Sequence, residues 1–312
     1  MRLQSLILLC ALAVLVPRQP AERLIVFTID DLPTASVIGE DLARAQRTTS
    51  ALLDALVRQK IPAIGFVNER KLMANGKPEP ERIALLQQWL DAGLDLGNHT
   101  FGHIDLHRVD LENFKADIVK GETVTRALLA RAGRRLMFFR HPFLHTGTSA
   151  EVRRRLDAFL TGRDYVVAPV TIDNYDYVFA AAYDRAAERG ETASAERIEA
   201  AYLEYMDAVV RYYEQQAQVI VGRDMPHTLL LHAHALNGAT LDRFAGRLRG
   251  RGYRFITLHE ALKDPAYNSR DEYYGPAGIS WLHRWAITAG TRGVFAGEPV
   301  VPQWIEQAAN AK

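Results

Sequence analysis

The sequence predicts an α/β fold built on a mainly parallel sheet. Three observations carry that prediction. Apolar bursts alternate with helical patterns about seven times along the 312 residues, the rhythm of a sheet with helices outside it. The composition is globular: 48% apolar and 24% charged residues argue against disorder, collagen-like repeats and coiled coil. Five of the apolar bursts end in reactive side chains, and strand ends are where α/β folds place their active groups. A barrel and a doubly wound open sheet both satisfy the alternation.

Residues 24–29, 61–67, 94–96, 136–139, 165–172, 228–231 and 255–258 read as seven strands in chain order. Residues 42–57 read as a helix, because Leu42, Ala45, Leu52, Leu53, Leu56 and Val57 recur on one face. Residues 81–91 form a second, stopped by Gly93. Residues 111–130 read as one continuous helix, followed by helices at 150–160 and 241–248. Between Asp176 and His232 the chain exceeds a usual connection. Residues 178–189 are Ala-rich, Gly190 interrupts, and Ser194 is placed to cap a second helix bearing Ile198, Tyr202, Tyr205, Val209 and Tyr212 on one face. This is a helical insertion, about 178–215, before the sixth strand. It packs on the body, walls the substrate site, or does both. The tail, 264–312, lacks periodicity but carries Tyr273, Tyr274, Trp281, Trp285 and Trp304, and reads as an extension packed on the body.

Lys and Arg number 38 and Asp and Glu 37, a net charge of +1. That balance argues against a nucleic-acid partner. The single cysteine, Cys10, lies in the first apolar run, so the body has no disulfide, zinc finger or cysteine nucleophile. Any metal must be held by His, Asp or Glu. Residues 1–21 read as a signal peptide: Met1-Arg2, an 11-residue apolar run from Leu6 to Val16, then Pro17-Arg18-Gln19-Pro20. The run is too short for a bilayer span, which takes about 20 apolar residues. An exported protein, periplasmic or secreted, with no stable membrane span is the expectation. The domain plan is 1–21 signal, 22–263 barrel and 264–312 extension.

The first strand ends in Asp30-Asp31. Adjacent carboxylates on a strand cannot both face the core, and one could bind a metal while the other serves as base. The third strand runs into His99-Thr100-Phe101-Gly102-His103, a spacing that puts two imidazoles on one side of a helical turn, as two ligands of one metal require. His107 follows as a supporting or surface residue. The fourth strand ends in Arg140-His141-Pro142-Phe143, where arginine could orient a carboxylate. The fifth ends in Asp173 to Tyr177 and the sixth in His232-Ala233-His234. An Asp beside a His fixes its tautomer and makes it an acid.

This ordered set resembles the polysaccharide deacetylases with the NodB-homology domain, carbohydrate esterase family four. Thr28-Ile29-Asp30-Asp31-Leu32-Pro33 is similar to that family's Thr-Phe-Asp-Asp-Gly-Pro, and residues 99–103 to its His-Ser/Thr-x-x-His. Residues 140–143 match Arg-x-Pro-Tyr/Phe, residues 173–177 resemble Asp-x-x-Asp-Trp, and Leu231-His232 matches Leu-His. The resemblance covers roughly residues 24–262. It implies a distorted (β/α) barrel with fewer than eight strands, here about seven, and a divalent metal, usually zinc, on Asp31, His99 and His103. It implies Asp30 as general base, Arg140 holding Asp30, His232 as acid with Asp176 behind it, and the Phe143 N–H on the oxyanion. The implied substrate is an acetylated glycan such as peptidoglycan or a chitin-like polymer, through its N-acetyl or O-acetyl groups. Leu32 for Gly, Tyr177 for Trp and the insertion depart from the pattern and bear on the substrate. A metal-dependent amidohydrolase of a small amide or imide is one alternative. A catalytically silent glycan-binding protein is another, and it predicts damage to the set. A closed cavity under the insertion would favour a small substrate; an open groove lined by tail aromatics would favour a polymer.

Overall fold

The computed structural model describes residues 22–39 and 41–311. The signal segment expected at 1–21 lies outside them. No helix among the described residues is long and apolar enough to cross a membrane.

Ten-residue strand β1 (Arg23–Leu32) is central. Its alternation divides the core. Ile25, Phe27 and Ile29 join the large apolar cluster beneath the helices, whereas Val26 packs with Ile64, Phe66 and Phe138 in a smaller one. Helix α1 (Leu42–Arg58) follows, its N-terminus capped by the Asp41 carboxylate on Arg44 N–H. Strand β2 (Ile64–Val67) pairs parallel with β1. A small hairpin, β3 (Met73–Ala74) and β4 (Lys77–Pro78), was not foreshadowed by periodicity, being two residues a side. Helix α2 (Pro80–Asp91) and strand β5 (Asp95–Asn98) complete the next unit.

The single helix expected over 111–130 is two, α3 (Leu111–Lys120) and α4 (Thr123–Arg131). The break has a steric cause. A Cβ on Gly121 would lie 2.4 Å from Phe101 N and 2.4 Å from the Thr100 carbonyl carbon, so only glycine lets the chain approach the 99–103 turn this closely. The buried Glu69 carboxylate then accepts from Val124 N (3.0 Å) and Thr125 N (2.7 Å) at the start of α4.

Strand β6 (Phe138–Phe139), helix α5 (Ala150–Gly162) and strand β7 (Val166–Val167) follow. The insertion is real: α6 (Asp176–Glu188) and α7 (Thr192–Ile220) form an antiparallel pair. It is wider than expected, and α7 starts at Thr192 without a side-chain cap rather than being capped by Ser194. Strand β8 (His227–His232), helix α8 (Ala235–Gly250) and strand β9 (Tyr253–Phe255) end the alternating body. Helix α8 starts six residues before the expected one, because the His234 ring accepts from Asn237 N and caps it (3.0 Å). The expected strand at 255–258 stops at Phe255; Thr257 instead caps α9 (Leu258–Ala261). The aperiodic tail holds two further helices, α10 (Trp281–Thr288) against α7 and α11 (Gln303–Asn310) against α6.

The strand order is β7-β6-β5-β2-β1-β8, with β9 against the start of β1, and every pair in this sheet is parallel. The sheet is curled. Segment 166–172 leaves β6 and ends in a parallel bridge from Ile172 to Leu229 of β8. That crossing brings the two edges together, so the alternation resolves to a distorted half-barrel of seven strands rather than an open sheet.

Candidate active site

Asp30 and His232 are register partners on adjacent parallel strands. Paired residues of a parallel ladder point to the same face, so base and acid candidates stand side by side. Asp31 would turn to the opposite face in regular strand geometry. It does not, because its φ is 71°. This left-handed residue breaks the alternation and brings the second carboxylate into the same cavity, where the sequence allowed only one.

The 99–103 segment is a turn and not a helix; Thr100 and His103 have φ of 66° and 53°. Asn98 holds it, its Oδ1 accepting from Thr100 N (2.7 Å) while its Nδ2 donates to Ile118 O and Tyr165 Oη. The two histidines still converge. His99 Nδ1 donates to Arg140 O at 2.8 Å, which fixes the tautomer and leaves Nε2 for the cavity. His99 Nε2 and His103 Nε2 each lie 3.6 Å from Asp31 Oδ1. Their rings are 4.8 Å apart and inclined at 73°, so their planes intersect and one ion can lie in both. Asp31 Oδ1 is buried without a hydrogen-bond partner. An orphaned carboxylate oxygen facing two imidazole nitrogens fits a divalent cation.

Charge is arranged to suit. Burial works to raise Asp31, but Lys71, His103 and His99 outweigh it and hold its carboxyl well below the usual range. Burial pushes Asp30 up to about 6, against the pull of Arg140. Arg140 is wholly buried, donating to Asp30 Oδ2 (3.4 Å) and Thr28 Oγ1 (2.9 Å), with its guanidinium 4.7 Å from the centre of the Phe66 ring. Burial also lowers His99 and His103, favouring the neutral rings that ligate metals.

Asp176 opens α6 and meets four donors: His232 Nδ1 (2.7 Å), His232 N (2.8 Å), His234 Nε2 (3.1 Å) and Asn237 Nδ2 (3.0 Å). Despite burial, His232 and His234 keep it far below the ordinary carboxylate value. Burial disfavours the His232 cation, yet Asp176 raises it to about 9. His234 and Asn237 are contributions the sequence pattern did not assign; the short His-x-His spacing and the helix start beside it were the available signals. Phe143 is half exposed with φ 57° in a tight turn whose bonds run from Leu144 N and His145 N. The tail holds that turn: a Cβ on Gly278 would come within 1.7 Å of Phe143 O.

All eight predicted residues therefore meet around one cavity of about 640 Å³ or directly behind it. Tyr177, Ala180, Ala181 and Asp184 of α6 form one wall, joined to the 33–38 loop through Ser36 Oγ and Asp184 Oδ2 at 2.6 Å. The exposed aromatics that line it are Phe143, Tyr175 and Tyr177; none of the five tail aromatics does. Asp173 also lines it, pushed up to about 7 by burial. His107 is not part of this group. It stacks on His145 at 3.8 Å and 5°, beside Asp105.

Residues 18–158 match the family model described as polysaccharide deacetylase. No curated protein matches the chain. Among solved structures, a mutant of a CE4 family pseudoenzyme, whose wild-type form is from Bacillus anthracis, is 16% identical at a TM-score of 0.50, covering 78% of this chain and 68% of that one. A family 4 carbohydrate esterase from Streptomyces lividans is 18% identical (TM-score 0.47, 77% and 95% covered). The peptidoglycan deacetylase PdaC from Bacillus subtilis is 19% identical (TM-score 0.46, 80% and 96% covered). The chain is thus similar to the polysaccharide deacetylases, as its motifs imply.

Proposed function

We propose that this protein is a metal-dependent deacetylase that hydrolyses N-acetyl, or O-acetyl, groups of a glycan. The observation that carries the reading is the pairing of Asp30 with His232 beside the convergent Asp31–His99–His103 group. These three residues would hold a divalent cation, and two imidazoles with one carboxylate suit zinc. Bound there, such a cation polarises the acetyl carbonyl and acidifies water.

Asp30, with its raised carboxyl, takes the proton from the attacking water. Arg140 keeps Asp30 oriented, and the hydrogen bond from Arg140 to Thr28 keeps the guanidinium in place. The Phe143 N–H donates to the oxygen that becomes negative in the tetrahedral intermediate. His232, held protonated by Asp176, gives its proton to the leaving nitrogen, without which an amine leaves poorly. Acetate and a free amine result. The apolar run at 6–16 supports action on an extracytoplasmic glycan such as peptidoglycan or a chitin-like polymer. The domain plan stands as part of this proposal, with 22–263 as barrel and 264–312 as its packed extension.

One observation favours the small-amide alternative. The insertion, not the tail aromatics, walls the cavity. The silent-site alternative loses ground because Asp30, Asp31, His99, His103, Arg140 and His232 are all present.

The test is acetate release by the purified zinc-loaded protein from peptidoglycan sacculi and acetylated chitooligosaccharides, beside Asp30→Asn. Acetate from the wild type alone is the expected result. No acetate from either substrate would turn the reading to O-acetyl esters or small amides.

A further inference from the structure

The deacetylase reading leaves two imidazoles of the cavity without a task, His141 and His145, and of the two it is His145 that hydrogen bonds hold in place. His145 follows the Phe143 turn and lines the cavity. Its Nδ1 lies 2.6 Å from Asp105 Oδ1. That carboxylate also accepts from His107 N at 2.8 Å and pairs with Arg108 Nε at 3.3 Å. It is an acceptor, so His145 Nδ1 donates and Nε2 is the edge left for a ligand. Behind it lies His107, itself tied at both nitrogens: Nδ1 to Pro276 O (3.3 Å) and Nε2 to Gly147 N (3.2 Å). The stacked pair is fixed by three chain segments, 105–108, 145–147 and the tail. An imidazole fixed this firmly before binding loses little freedom on contact.

We propose that His145 is a substrate-binding residue that hydrogen-bonds a hydroxyl of the acetylated sugar through Nε2. The proposal rests on the deacetylase reading. A hydroxyl both donates and accepts, so it satisfies the ring whichever way Nε2 is protonated. The Phe143 ring, 5.8 Å from His145 and half exposed, offers the sugar an apolar face beside that polar contact.

Two variants separate a binding role from a structural one. In His145→Asn the side-chain amide stands where Nδ1 stood, so it retains the bond to Asp105 and loses the Nε2 position. In His145→Gln the amide reaches the Nε2 position and loses the Asp105 bond. KM and kcat are measured on an acetylated chitooligosaccharide, with thermal melting of both variants. The expected result is a KM about 3- to 10-fold higher for His145→Asn, the cost of one hydrogen bond, and a smaller rise for His145→Gln. A KM unchanged in both variants, or a larger rise in His145→Gln, overturns the proposal while leaving the deacetylase reading intact. Failure of His145→Asn to fold, with His145→Gln stable, overturns it too, since Asn keeps the Asp105 bond. A wild type that releases no acetate fails the deacetylase reading, and this proposal with it.

Discussion

Two groups of one aspartate and two histidines stand close together in this molecule, Asp31–His99–His103 and Asp105–His107–His145. In each, one ligand atom per residue lies within 4.8 Å of the others. By residue type and distance they are equivalent. Orientation separates them. A metal must lie near the plane of every imidazole that binds it. The His99 and His103 planes cross at 73°, whereas those of His107 and His145 are 5° from parallel at 3.8 Å and share no such point. Hydrogen bonding separates them again. Asp31 Oδ1 is buried without a partner, whereas both His107 nitrogens are engaged. The first group presents an unpartnered carboxylate oxygen to two imidazole nitrogens, an arrangement that a cation would complete. In the second, both His107 nitrogens and His145 Nδ1 already have partners, only His145 Nε2 stays open, and the group supports a wall.

The strongest way to break this contrast is to remove a ligand from the first group. Asp31→Asn or His99→Ala should lower zinc from one per chain to none and cut kcat/KM at least about 1000-fold, the several kcal/mol that a Lewis acid supplies. His107→Gln should leave zinc at one per chain; a second zinc lost with it would overturn the distinction. Metal analysis on the dialysed proteins reads both.

Next in size is the acid. Asp176→Asn should lower kcat about 100-fold or more while zinc content stays at one. Loss of zinc in that variant would mean that Asp176 supports the metal group and not His232 alone.

The same pair predicts a pH dependence of stability in the metal-free protein. The His232 value is raised from 6.5 to about 9. Its contribution is therefore complete below about 6.5 and is lost as pH rises through 9. The Asp176 carboxyl is lowered, so its contribution is present above about 3.9 and is lost as pH falls. Melting temperature followed from pH 6 to 10 should fall across the upper window in wild type and flatten in Asp176→Asn.

The smallest expected effect lies in the tail. Gly278→Ala must displace the Phe143 carbonyl, because its Cβ has no room. About a tenfold loss of kcat without loss of zinc is expected, from a displaced oxyanion donor. An unchanged kcat would remove the Phe143 N–H from the mechanism.

β1 was legible because it carries an unbroken apolar run, and it is buried from Ile25 to Asp30. The site motifs were legible because each closes a strand. Asp31's left-handed backbone was not, since nothing local marks it. The bend at Gly121 was read as continuous helix because its cause, the backbone of Thr100 and Phe101, is twenty residues away in sequence. Glu69 at the start of α4, Arg284 donating to Thr146 and Asn237 on Asp176 escaped for the same reason: each acts on a segment distant in the chain. The tail helices were hidden by their shortness, eight residues each, too few for a period to show.

The register of β1 against β8 has one more consequence. Asp30 and His232 need no contact with each other to stay a fixed distance apart. Their separation is the spacing of two hydrogen-bonded chains, about 4.8 Å between backbones. It is set when the main chain pairs and is indifferent to the side chains around it. A slip of the ladder by one residue would carry one of the two away from the cavity altogether. On the proposed function, proton donor and proton acceptor would thus be spaced by the strand ladder itself. A descendant of this protein could exchange every other residue that lines the cavity and still inherit the same span between them.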